Sequence, residues 1–207
     1  PLNLGAPPVS VAVFGNNPRA LATNAAGTKV YAAIFESGNR TSVLSPQQAL
    51  DGGGAPAPNP PMDPALPPAP DQGVMIFWNG AHWVDETATR NWDTLISLPY
   101  TLPDNDVVEL DADAPSPTPR YFSGVGTLNY GVTVNPATGL VYVPNEEAFN
   151  LTRYEPNVNG KFAQYRVTRI DPAGPGTVTP VHLNGHINYA VTPGPPSEIA
   201  LSLSQPN

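Results

Sequence analysis

The sequence predicts an all-β fold of short strands joined by many turns, and three observations carry that expectation. Proline and glycine number 28 and 18 in 207 residues, a content that interrupts long helices and suits tight turns. Short apolar or β-branched runs recur along the chain, each bounded by Asn, Gly, Pro or Asp. Hydrophobic residues make up 40% of the chain, enough to fill the core of one large domain over residues 1–207.

The first runs flank a hairpin. Ser10–Phe14 alternates weakly, Gly15-Asn16-Asn17-Pro18 reads as a turn, and Arg19–Thr23 follows. The turn Asn24-Ala25-Ala26-Gly27 then leads into the returning strand Val30–Phe35, closed by Ser37-Gly38-Asn39. Between Ser45 and Gln72 the composition changes to Pro, Ala, Gly and Asp, which predicts an irregular, polyproline-like insertion loop over 45–72. Order is expected to resume at Gly73–Trp78. Asn79-Gly80 is a two-residue hairpin signal before Ala81–Val84, and that register puts Ile76, Trp78, Ala81 and Trp83 on one face of a buried hairpin. Further strands are predicted at Asp106–Asp111, Asn129–Val134, Leu140–Val143, Ala163–Ile170 and Thr177–Val181.

Two of these stretches match. Asn24-Ala-Ala-Gly-Thr-Lys-Val-Tyr31 and Asn135-Pro-Ala-Thr-Gly-Leu-Val-Tyr142 keep the same step from turn Asn to strand Tyr, and each Tyr is followed at equal distance by Asn39 or Asn150. Units that cannot bury their own faces stack on their neighbours, so such a repeat signals a stacked architecture. Both stretches resemble the YVTN-type β-propeller repeat, Val141-Tyr142-Val143-Pro144-Asn145 closely and Tyr31-Ala32-Ala33 more loosely. Phe14–Leu21, Arg90–Asp93 and His182–Tyr189 are similar to large exported bacterial propeller proteins that carry a c-type cytochrome segment. The resemblance implies propeller blades. A blade takes about 40–45 residues and a closed ring about 4–8 of them, so the chain outside the insertion supplies about three to four. The remaining blades are expected from the same precursor or another chain, since an open stack leaves edges and an apolar face uncovered.

Only 13% of residues are charged and the net charge is −8, which argues against nucleic acid as a partner. No apolar run reaches the length of a membrane-spanning helix. Low Lys, abundant Asn, Thr, Pro and Gly, and the start at Pro1 point to an exported protein, periplasmic or extracellular. Cysteine is absent, so no thiolate site or CxxCH haem attachment lies within these residues and no cofactor is expected from this chain alone.

Several side chains are candidates for chemistry. His182 and His186 are four apart, a step that suits a metal ion in a helical or irregular segment; in a continuous strand they stand about 13 Å apart. Trp78, Trp83 and Trp92 are candidates for a ligand face, against the ordinary role of aromatics in a core. Asp104, Asp106, Asp111 and Asp113 offer oxygen ligands without the glycine and distal glutamate of an EF-hand. Asn39-Arg40-Thr41 and Asn150-Leu151-Thr152 are glycosylation acceptors in a suitable host. The familiar nucleophile-elbow, dinucleotide, Walker and zinc-protease motifs are missing. The expectation is therefore a non-catalytic propeller module acting as scaffold or interaction domain. Its alternative is half of a periplasmic redox or electron-transfer protein, with a haem or metal ion contributed by the rest of the assembly.

Overall fold

The computed structural model describes residues 9–56, 64–65, 73–85, 87–88, 90–96, 104–149, 161–191 and 194–203. Nine strands form one antiparallel sheet that curls into a half-barrel. They are β1 (Asn16–Thr23), β2 (Lys29–Glu36), β6 (Val107–Asp111), β7 (Arg120–Phe122), β8 (Leu128–Asn129), β9 (Thr133–Val134), β10 (Val141–Ala148), β11 (Ala163–Asp171) and β12 (Thr177–His182). Three more form a small second sheet: β3 (Thr41–Leu44), β4 (Val74–Trp78) and β5 (Trp83–Val84). Two six-residue helices, α1 (Pro46–Asp51) and α2 (Pro196–Leu201), and a 3-10 turn at Asp93–Leu95 complete the regular structure of the described residues.

Within the large sheet the pairing divides into two four-row meanders. In the first, β1 pairs β2, β2 pairs β6 and β6 pairs β7. In the second, β8 and β9 act as one broken strand along β10, which pairs β11, which pairs β12. Leu128 joins them, facing Glu36 of β2 and Glu146 of β10.

The matched turns have the same length and register, with their glycines one position apart. Thr23 pairs Val30 and Val134 pairs Val141, so each hairpin has a six-residue loop. The leading Asn donates its backbone N–H across each loop, Asn24 to Lys29 O at 3.1 Å and Asn135 to Leu140 O at 2.9 Å. Gly27 and Gly139 take φ of +72° and +73°, a left-handed conformation that glycine adopts without the Cβ penalty. The side chains differ in use: Asn24 Oδ1 accepts from Thr28 and Lys29, and Asn135 Oδ1 from Ala137 and Thr138.

Alternation along the strands decides what each meander buries. Tyr31, Val107 and Phe122 of the first share one core with Val141, Val143 and Ile170 of the second, closed by Val125 between β7 and β8. Arg120 crosses the same interface from β7, donating to Pro172 O at 2.8 Å and Gly174 O at 2.9 Å on the β11–β12 turn.

Four sequence expectations need correction. Gly15–Pro18 is not a turn: Asn16 already belongs to β1, and the irregularity is a register shift between Pro18 and Ala20 with Asn17 at φ +56°, which an edge strand accommodates because Pro lacks the N–H there. β10 runs on through Pro144, whose carbonyl accepts from Tyr130 N at 3.0 Å. The N–H it lacks would point to that same edge, where β8 and β9 are interrupted. The insertion opens with order, since Pro46–Asp51 is helical behind a Ser45–Gln48 capping box. The ordered lobe between β2 and β6 also extends beyond 45–72, taking in β3, β4 and β5 around Leu44, Ala49, Val74, Ile76 and Trp92. Finally, Trp78 pairs Trp83 and Phe77 pairs Val84, so the hairpin loop is Asn79–His82. Asn79 Oδ1 accepts from both Ala81 N and His82 N, a side-chain turn that displaces the two-residue one.

Burial sets the expected response to truncation. Ile170, fully buried on the inner face, should lose about 2–5 kcal/mol of unfolding free energy on Ile170→Ala in urea titration. Val181, 52% exposed on the opposite face, should lose under about 0.5 kcal/mol on Val181→Ala.

Candidate functional site

The most elaborate chemistry lies where the two meanders meet. The crossover from β7 to β8 brings Val125 and Gly126 over the start of β6. There the fully buried Asp106 accepts from Val125 N at 2.5 Å, from Gly126 N at 3.2 Å and from the Ser37 hydroxyl. From the other meander, Arg166 of β11 donates to Val125 O and Glu147, each at 2.9 Å, and to Asn145 Oδ1 at 3.3 Å. Thr168 donates to the same Val125 carbonyl at 2.9 Å. Asn129 donates to Ile34 O and Gly126 O, both at 3.0 Å, tying the crossover to β2. A Cβ on Gly126 would stand 2.6 Å from Asn145 Oδ1, so only glycine lets the crossover lie this close.

Burial dominates the electrostatics of this junction. It pushes the Asp106 carboxyl up to about 8, with neighbouring Asp104 adding to the rise and the three donors opposing it. Glu147 is raised by burial against the pull of Arg166, and Arg166 is lowered by burial against the carboxylates. Asp104 itself bonds Arg40 at 3.1 Å and Gly124 N at 3.0 Å. Asp111 and Asp113 lie at the far end of β6, Asp111 paired with Lys29 at 3.0 Å, so the four aspartates are not brought to one place.

The tryptophans divide between surface and core. Trp78 and Trp83 face one another across β4 and β5, ring centroids 5.8 Å apart and tilted by 60°, with Trp78 36% exposed. Beside them His82 Nδ1 bonds Asp93 at 2.8 Å, a hydrogen bond that holds the Asp93 carboxyl below its usual range. Trp92 is 1% exposed and belongs to the core of the small lobe, its indole N–H donated to the buried Asp85 at 2.8 Å. A ligand face built from the sequence candidates therefore reduces to Trp78 and Trp83.

His182 ends β12 and is half-buried. Burial, Arg166 and His186 all lower its pKa, so the imidazole is neutral at neutral pH, the form that binds metals. The Tyr189 hydroxyl lies 3.1 Å from both His182 Nε2 and Ala163 O. Because the carbonyl only accepts, the hydroxyl proton goes to Ala163 and His182 donates from Nε2. His186 sits exposed on the following turn, Nε2 3.2 Å from Glu198 O. Ser202 lies 3.4 Å from that nitrogen but donates to Glu198 O at 2.6 Å, as a helix-end hydroxyl rather than an activated nucleophile. The two histidines offer two of the four donors of a structural zinc, and among the described residues no group of three His, Asp or Glu side chains is placed to hold a metal ion. Asn39 donates to Ala148 O at 2.6 Å, and the second acceptor sequence, Asn150–Thr152, lies outside the described residues.

Comparison with protein-family models, with curated proteins and with solved structures returned no match. Fold and sites together define an all-β protein whose two meanders are joined by a buried polar junction. Sequence reasoning missed Ser37, Asn129, Asn145, Glu147 and Arg166 at that junction. One signal was present: Asn145 and Arg166 extend the inward alternations Val141-Val143 and Ile170-Thr168, and a polar residue at an inward position marks a buried hydrogen-bond network.

The raised Asp106 pKa has a testable sign. The folded state holds its proton above the unfolded value of about 4, so this contribution to stability is complete below pH 4 and is lost as pH rises through about 8. Asp106→Asn keeps the shape and cannot ionise. Urea unfolding at pH 5, 7 and 9 should show the parent weakening with pH and the variant markedly flatter across the same range.

Proposed function

We propose that the chain is a segment of an exported, non-catalytic β-propeller of the YVTN type, serving as a rigid scaffold or interaction module. In this reading each four-row meander is a blade, and the lobe of β3, β4, β5 and α1 is an insertion between the second and third strands of the first blade. The observation that carries it is the match in loop length and strand register of the two opening hairpins, Asn24–Tyr31 and Asn135–Tyr142, each leading a meander of the same strand order. Contact between β1 and β9 supports it further, because the opening strands of neighbouring blades meet around a propeller axis.

A scaffold role fits the chemistry present. Asp106, Asn129, Asn145 and Thr168, all fully buried, bond the backbone and one another at the meander junction, and Arg166, Asp106 and Asn145 are consumed in holding the two meanders together. Two meanders make two blades, not the roughly three to four expected from chain length, and fall short of the about four needed to close a ring, so the reading requires further blades. Native and intact mass of material isolated from its source test this directly. The expected result is an assembly or longer polypeptide well above the chain's 21.8 kDa; a folded 21.8 kDa monomer would contradict it.

A further inference from the structure

The two meanders stack head to tail, and that leaves one face with a defined partner. In the matched hairpins Val30 corresponds to Val141 and Tyr31 to Tyr142. Tyr31 points into the shared core and is 2% exposed, and on the other side the face that meets it carries Val141, Val143 and Ile170. The first meander thus uses its Tyr face and the second its Val-x-Val face. Such an interface is heterologous: the second meander still has a Tyr face, and nothing in the stacking rule stops it from taking another unit.

That face is formed by Tyr142 and Pro144 of β10, Tyr165 and Val167 of β11 and Val181 of β12; the register sets Pro144, Val167 and Val181 in one row, with Tyr142 opposite Arg169 and Tyr165 opposite Glu146 in the rows on either side. None of the five is buried, in contrast to Val141, Val143, Thr168 and Ile170 between them in sequence. An apolar row with an aromatic ring on either side of it marks an interaction site on such a sheet face. Its counterpart on the first meander, Val107 and Phe122 around Tyr31, is closed over by the second.

Resting on the propeller reading, we infer that the face of Tyr142, Pro144, Tyr165, Val167 and Val181 is the docking surface for a third antiparallel β-meander that presents a Val-x-Val strip like that of Val141 and Val143. A second copy of this chain fits poorly. The strip it would offer, equivalent to the Val141 face, is that of Ala32, Ile34 and Val108, and these are already buried. Gly15 lies against Ile34, and Phe14 N donates to the Tyr121 hydroxyl beside them. The partner is therefore a further meander whose strip is free.

The full chain extended by an added copy of residues 123–191 supplies such a partner through the native crossover. With Tyr142→Phe and Tyr165→Phe in the added copy only, tetranitromethane reads the two original tyrosines. Docking should raise strand content by circular dichroism and cut nitration of Tyr142 and Tyr165 by at least about tenfold, since interface cores exclude solvent like protein interiors. An added meander that folds and leaves both tyrosines reactive, or that stays unfolded because the face gives it no support, overturns the proposal. In the unextended chain Val167→Asp should leave the melting temperature nearly unchanged while Val143→Asp lowers it strongly; equal losses would show the face already covered and overturn it too. Tyr31 separates this failure from that of the parent reading. A reactive Tyr31 in the unextended chain would sink the stacking of the two meanders, whereas a protected Tyr31 beside an unprotected Tyr142 would sink only the docking surface.

Discussion

The packing of one sheet face against its neighbour's opposite face governs this molecule. Tyr31, Val107 and Phe122 reach the solvent-free interior only because Val141, Val143 and Ile170 close over them. A four-stranded meander has two faces and can bury neither alone. Burial of apolar surface contributes about 25 cal/mol for each Å² removed from water, so the shared core is what makes either meander worth ordering. The six-residue turns, the break between β8 and β9 opposite Pro144 and the bulge in β1 all serve to keep the inward alternation in phase on both sides.

Apolar packing fixes little about how two flat faces slide, and the polar junction supplies that missing specificity. Asp106, Ser37, Arg166, Thr168 and Asn145 meet at one crossover, where the Val125 carbonyl takes two donors from β11 and the Asp106 carboxyl takes two backbone N–H groups. Displacing one meander along the other would strand several of these groups in the interior, each at a cost of about 1–3 kcal/mol. The network is thereby a register lock. Its weak point is charge: a carboxyl in that setting resists ionisation, and Asp104 and Arg166 bear on it from adjoining segments.

Much of the fold was legible because local rules and tertiary packing agree. The runs at Val107–Asp111, Ala163–Asp171 and Thr177–His182 alternate or carry β-branched residues between clear turn signals, and the Asn-led turns announce their hairpins. The errors arose where a side chain competes with the backbone. Asn79 builds its own turn and shifts the β4–β5 register by two residues; Ser45-Pro46-Gln47-Gln48 carries a capping box and Pro at the first helical position, a helix-start signature submerged in proline-rich composition. The candidate site was far less legible. Junction residues come from the end of β2, the start of β6, β8, β10, β11 and a crossover, and no short motif records a meeting assembled from so many places along the chain. His182 and His186 were visible as a spacing, but their hydrogen bonds to Tyr189 and Glu198 depend on a C-terminal segment that folds back on β12.

The proposed propeller role follows from the same head-to-tail geometry, because units that stack in one direction must either close on themselves or meet a partner at the open end. Everything rests on the two meanders sharing one core. A double-mutant cycle of Phe122→Ala and Ile170→Ala, one from each meander, measures this by equilibrium unfolding. The account predicts a coupling energy of about 0.5–3 kcal/mol between them, whereas losses that add within about 0.3 kcal/mol would show the meanders to be energetically separate and contradict it.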